Sequence, residues 1–480
     1  MTIADRHVPG RTRDGFSEEL AELLATADDA RRLVTLSRPA DPVDPIALFV
    51  AARARDLEAV LWLQPSSGRS IVGIGRAWAF EGGGRERFGA ATAAWGAVLG
   101  DAVAGGASVG LPGGGPVLLG GLGFTGLTPA RDDPWAPFGP ASLVLPTFTV
   151  TQEPGAANLA VAIAPGRARD PDPDEVEDAW TSLLTTARAT AGTGTTDPAG
   201  PLTMLESRPD RAGWDRIVGM FAGAVGRGRI DKVVLARRAI FESLAEHDIG
   251  AALRHLAATA PESTTFAFSR DGTTFLGATP ERLARTVGRS FETVAIAGSA
   301  PRGEDRETDA RYAAALLASE KDREEHAVVV DTLRAGLAPI VETLTIADAP
   351  GILPLRHVQH LVTPMTGTLR EDAGLLGLAA VLHPTPAVGG EPRDVALDLI
   401  AEHEGFDRGW YAGPIGWLGA DGDGELMVAL RCGLVRDRDA VLFAGCGIVA
   451  DSEPGREWDE SRLKLRTLIA ALGGEAEEDG

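Results

Sequence analysis

Residues 263–300, "STTFAFSRDGTTFLGATPERLARTVGRSFETVAIAGSA", read as one run of strands joined directly by turns. Strands that follow each other through tight turns pair antiparallel, because a parallel pair needs a helix-length crossover between its members. The same habit appears upstream. "SIVGIGRAWAFEGGG" and "GPVLLGGLGF" are β-branched or glycine-rich runs closed by glycine, and "WAPFGPASLVLPTFTVTQE" reads as a strand pair. Helical spacing recurs in "FGAATAAWGAVLGDAV" and near 174–191. Residues 17–37 read as one amphipathic helix, and 45–64 as short alternating apolar runs. The expectation is an α+β fold of large antiparallel-rich β-sheets flanked by helices, not a doubly wound parallel sheet. The linker-like "AGTGTTDPAGPL" sets a boundary near 203. Residues 1–203 would complete the sheet framework, 204–473 would carry the chemistry, and 474–480 would form a disordered acidic tail.

Charge narrows the range of partners. The 480 residues carry 68 acids against 46 bases, a formal net charge of −22, so most of the surface repels nucleic acid and anionic membranes. An anionic small substrate would need a local basic pocket. Cys432 and Cys446 are too few for a disulfide framework, and their spacing matches no zinc pattern. They read as small buried residues in a reduced compartment. No stretch is long and apolar enough to span a bilayer and the start has no secretory pattern, so a cytoplasmic location is expected.

Several local patterns could carry chemistry, and each also has a plain structural reading. In "PGREWDESRLK" the proline reads as a stop, with a helix beginning near Glu457. Glu457, Glu460 and Lys464 then share one face beside the apolar stripe of Trp458, Leu465 and Leu468. A solvated face with a Glu–Lys pair would look the same. "SEKDREEHAVVVDTLRAGL" places Asp322 and Glu325 one turn apart beside another apolar stripe. Two such helices are what a Mg²⁺ site needs, since hard cations take carboxylates plus water and substrate oxygens. Lys232 shares a strand face with Val234 and Ala236. Partial desolvation there would lower its pKa and suit a general base; a strand-end lysine reaching back to water is the alternative. Glu281 follows Pro280 in "GATPERL", where a carboxyl held neutral could act as an acid or simply cap a turn. Gly445 and Gly447 would let backbone N–H groups approach a carboxylate, with Arg431 and Tyr411 as further anion ligands.

In order, "KVVLAR", "GATPERL", "IAGSAPRG", "SEKDREEH", "VQHLVT", "LHPTPAVGG", "GFDRGWYAGPIGW", "LRCGL", "LFAGCGIV" and "REWDESRLK" resemble the chorismate-utilising enzymes, and within them the isochorismate synthase branch. The match is dense over 205–472. The resemblance implies a Mg²⁺-dependent site in a cleft of the C-terminal part. It implies that Lys232 activates water for attack at ring C2 and that Glu281 protonates the departing C4 hydroxyl. Glu325, Glu457 and Glu460 match the metal acids. Arg431, Tyr411, Gly445 and Gly447 match the positions that bind the enolpyruvyl carboxylate, with Lys464 closing the charged end. Ser299, Ala387 and Val388 match ring-side positions. Lys232 argues for water rather than ammonia as nucleophile, hence for no amidotransferase subunit. A salicylate synthase, which would go on to eliminate pyruvate, and a non-catalytic chorismate-binding protein are the rival readings. Either a monomer or a homodimer is compatible with the chain.

Overall fold

The computed structural model describes residues 15–27, 32–108, 110–166, 171–192, 201–303, 305–354 and 358–474. Among them, two large sheets of 13 and 10 strands lie in an α+β arrangement. Pairing is antiparallel apart from Val34–Pro39, which runs parallel to Val103–Gly106 at one edge of the larger sheet. The strands Thr264–Arg270, Thr273–Thr279, Arg282–Val287 and Ser290–Pro301 do follow one another through turns. They divide between the sheets: the first two pair in the larger one, the last two in the smaller.

Both halves of the chain build both sheets. Thr264–Arg270 pairs with Ala59–Gln64 in the larger sheet, and Pro414–Gly419 pairs with Val117–Leu122 in the smaller. Strand pairing therefore crosses position 203 in both sheets, and position 203 itself lies within the strand Leu202–Arg208. Residues 193–200 of the linker-like stretch and 475–480 of the acidic tail lie outside the described residues. One core joins residues of the two sheets, including Trp62, Leu119, Phe266, Phe275, Trp410 and Trp417. A second lies between the larger sheet and helices such as Pro45–Arg53, Ile249–Thr259 and Pro454–Ala471, which contribute Phe49, Leu253 and Leu465.

Two local expectations are corrected. Residues 17–37 are not one helix: Ser17–Thr26 is helical, and Val34–Pro39 is a strand whose Val34 and Leu36 are fully buried. Sheet pairing on both sides overrides the helical spacing there. The last helix starts at Pro454, not near Glu457, with the proline in its first turn. Proline suits that position because its missing N–H would have had no helical partner. No described helix is long and apolar enough to cross a membrane.

Candidate active site

The long strand Lys232–Ser243 runs beside Asp439–Ile448, with Val234 opposite Gly447 and Ala236 opposite Gly445. Residues opposite each other share a face, so Lys232, Gly445 and Gly447 lie on one side. A Cβ on Gly447 would sit 2.5 Å from Lys232 Cε, and one on Gly445 would sit 3.0 Å from the Tyr411 hydroxyl. The two glycines are thus the floor on which Lys232 and Tyr411 rest. The far edge of the lysine strand is already occupied: Val234 N donates to Gly389 O at 2.9 Å and Ala236 N to Glu404 Oε1 at 2.7 Å. Their opposite numbers, Gly447 and Gly445, therefore turn their backbone groups to the open edge of the neighbouring strand. There Gly445 O accepts Lys464 Nζ at 2.7 Å.

Charges converge on this floor from four elements. Burial lowers the pKa of Lys232, with Lys464 adding to the effect and Glu325, Glu281 and Glu460 opposing it. Burial raises Glu281 to about 7 against the pull of Lys232, Arg431 and Lys464, with no hydrogen bond contributing. Arg431, lowered by burial, feels Tyr411, Glu460 and Glu281. Its φ of +48° is unusual for a side-chain-bearing residue and is the kind of local strain that functional sites retain. Tyr411 is buried, stacks on Phe443 at 5.3 Å and is held well above its ordinary pKa by burial. Together these bring an acid, Glu281, a base, Lys232, and the cations Arg431 and Lys464 within one another's electrostatic reach.

The last helix supplies the opposite charges. Burial pushes Glu460 up, but Lys464, at 2.6 Å, and Arg431 bring its pKa below the ordinary value. Glu457 is raised by burial. One oxygen from each of these carboxylates and Cys446 Sγ lie within 4.8 Å of one another. The Cys446 thiol is pushed up by burial and donates to Glu457 O at 3.2 Å, so it stays a thiol. That leaves two close carboxylates, a donor set that fits a hard divalent cation completed by water and substrate oxygens. Glu325, exposed on the helix Glu320–Leu337, stands outside that group. It reaches the cluster through its field on Lys232. Arg456 and Asp459 point to solvent.

Ring-side positions fall less uniformly. Ala387 lines a small recess together with Glu281. Val388 is buried in the inter-sheet core, and its carbonyl accepts Arg408 Nη1 at 2.8 Å. Ser299 follows a bulge at Gly298 and pairs with His360 across the strands.

Two features escape sequence reasoning. His360 sits in the same field as Lys232, Lys464 and Glu460, and burial lowers it to about 4, so it is neutral at physiological pH. The only local signal is a histidine within the apolar strand of "VQHLVT". Glu404 and Arg408 form a buried ion pair that also binds Ala236 N, Val234 O and Val388 O, with the guanidinium 4.3 Å from the Phe124 ring. It ties the lysine strand to the 383–389 loop. An i,i+4 acid–base pair in sequence looks like an exposed helix pair and gives no sign of this.

A chain with this pair of sheets and this cluster belongs to the chorismate binding enzyme family, whose match spans residues 18–473. The salicylate biosynthesis isochorismate synthase of Pseudomonas aeruginosa is 39% identical over 466 residues, 94% of this chain and 93% of that one. The isochorismate synthase MenF of Bacillus subtilis is 32% identical over 96% of this chain and 98% of its own. In fold, the chain resembles the menaquinone-specific isochorismate synthase MenF of Escherichia coli, with a TM-score of 0.71 at 24% identity, over 95% of this chain and 99% of that one.

Proposed function

We infer that this chain is an isochorismate synthase, an isomerase that converts chorismate to isochorismate. The observation that carries the reading is the pairing of a desolvated Lys232 with Glu281 held at about 7 in one cluster of charges. Environments that push a base down and an acid up towards neutrality are the mark of an acid–base pair. Names of full-length relatives at 39% and 32% identity support the same activity.

The chemistry follows from the residues. The neutral Lys232 amine takes a proton from water as its oxygen bonds to ring C2. The ring double bonds shift, the C4–O bond breaks, and the Glu281 proton goes to the departing hydroxyl, which leaves as water. Arg431, the Tyr411 hydroxyl and the Gly445 and Gly447 N–H groups bind the enolpyruvyl carboxylate by charge-assisted hydrogen bonds. Lys464 offsets part of the substrate's charge, and Ala387, which lines a recess with Glu281, lies towards the ring. Glu457 and Glu460 would hold Mg²⁺, while Glu325 acts through its field on Lys232. When bound, the ion neutralises the ring carboxylate, which a protein of net charge −22 would otherwise repel.

The enzyme works on a free small molecule in the cytoplasm, without an amidotransferase subunit. Purified protein, chorismate and Mg²⁺, without ammonium or glutamine and against an EDTA control, tests the reading. Isochorismate at a partial, reversible equilibrium supports it. Salicylate with pyruvate replaces it with the salicylate synthase reading, and binding without turnover leaves a chorismate-binding protein.

A further inference from the structure

Beside the acid Glu281 lies a recess of about 10 Å³, lined by Glu281, Arg282, Thr385, Ala387 and apolar neighbours such as Val294 and Leu333. That is room for about one water molecule. Most of the wall is apolar. Three polar residues line the recess: Arg282 is spent on Glu425, to which its Nε donates at 2.8 Å, whereas buried Thr385 Oγ1 has no protein partner and Glu281 remains to share the space with it.

Thr385 is held firmly. Pro384 and Pro386 flank it in "HPTPAVGG". A residue before proline is restricted to extended backbone, and a β-branched side chain has few rotamers. Its carbonyl accepts Val388 N at 3.1 Å and Gly389 N at 2.9 Å, closing the turn beneath it. A buried hydroxyl left without a partner is costly, so a fixed one beside a water-sized recess that also holds a carboxyl is best satisfied by a bound water. The backbone of Glu281 is pinned as well, with its carbonyl accepting Val428 N at 2.9 Å.

We propose that Thr385 is a positioning residue for the acid: its hydroxyl anchors one buried water, which donates a hydrogen bond to the Glu281 oxygen that does not face the substrate. This rests on the acid role given to Glu281 above. When Glu281 gives up its proton, the carboxylate that forms gains charge on both oxygens, and the anchored water stabilises it without reorganising. A donor to the carboxylate favours the ionised form, so its loss raises the pKa of Glu281 and slows proton donation.

The test compares Thr385→Val, which keeps the shape and removes the hydroxyl, with Thr385→Ser, which restores it. A net hydrogen bond of ordinary strength corresponds to about a threefold to tenfold fall in kcat and a rise of roughly half to one unit in the Glu281 pKa. Thr385→Val should show both, with KM and Tm near wild type, and Thr385→Ser should recover most of the loss. The pKa is read by ¹³C-carboxyl NMR titration, assigned with Glu281→Gln, and this readout needs no turnover. An inactive wild-type protein would sink the functional reading while the titration still decides the water site. An unmoved Glu281 titration in Thr385→Val overturns the proposal. So does a rise in KM at constant kcat, which would put the hydroxyl on the substrate. If Thr385→Val fails to fold, Thr385→Ala carries the same titration.

Discussion

Gly447→Ala isolates the placement of Lys232 from its presence. The added Cβ would lie 2.5 Å from Lys232 Cε and 3.2 Å from Nζ. Carbon atoms rest at about 3.5–4.0 Å, so the end of the lysine must withdraw by about 1 Å or more. The atoms that give way are the tip of a flexible side chain, and Gly447 has none of the positive φ values that demand glycine. The fold should therefore tolerate the change, and alanine in a strand is if anything favoured over glycine. A misplacement of about 1 Å at a reacting group can cost about 100-fold in rate, equivalent to about 2.7 kcal/mol of barrier. The expected result is a kcat about 100-fold lower, with Tm unchanged or slightly raised. Initial rates of isochorismate formation by chromatography give kcat and KM, and the same substitution in a Lys232→Ala background completes a double-mutant cycle. Gly447→Ala should add nothing there, because the group it displaces is gone. A kcat within threefold of wild type, or an equal loss in both backgrounds, would refute the reasoning.

Glu281 gives a pH prediction with a fixed sign. As an acid it must be protonated, so kcat/KM should fall as pH rises through about 7, and Glu281→Gln should lack that limb while losing about 100-fold to 10,000-fold in rate. Its folded pKa is raised above the ordinary 4.5, so folding loses stability as pH climbs from 4.5 through 7. Glu281→Gln removes that penalty, and urea unfolding at pH 8 should find the inactive variant more stable by up to about 3 kcal/mol. Glu460→Gln should raise the Mg²⁺ concentration needed for half-maximal activity, and magnesium titrations unchanged from wild type would remove this helix from the metal site. Arg408→Met leaves Glu404 buried without its partner; a loss of about 3–5 kcal/mol in denaturant unfolding is expected.

Much of the site was legible because its residues announce themselves locally. Lys232 on an apolar strand face, Glu281 after a proline turn, and Glu457, Glu460 and Lys464 on one helix face are all matters of spacing. Their types and periodicities depend on the chain alone. What spacing could not say is which readings of each residue apply. Lys464 does pair with Glu460, as a solvated helix would have it, yet the same amine reaches Gly445 O on a strand. Helix limits were misread where a tertiary partner or a cap decided them, at Val34–Pro39 and at Pro454. The pair Glu404 and Arg408 was invisible because burial, not sequence distance, sets its importance.

The sequence by itself determined the antiparallel habit of the strands, the family, the excess of acid that any anionic substrate must overcome, and the cast of titratable groups. Only the tertiary structure decided that strand and helix segments from 232 to 464 meet at one floor of glycines. It alone decided that Glu325 stands apart from the Glu457 and Glu460 carboxylates, and that Thr385 shares a recess with Glu281. The physical reason is range. Turn chemistry and periodicity act over a few residues, whereas desolvation and Coulomb interaction depend on what the fold brings within a few ångströms.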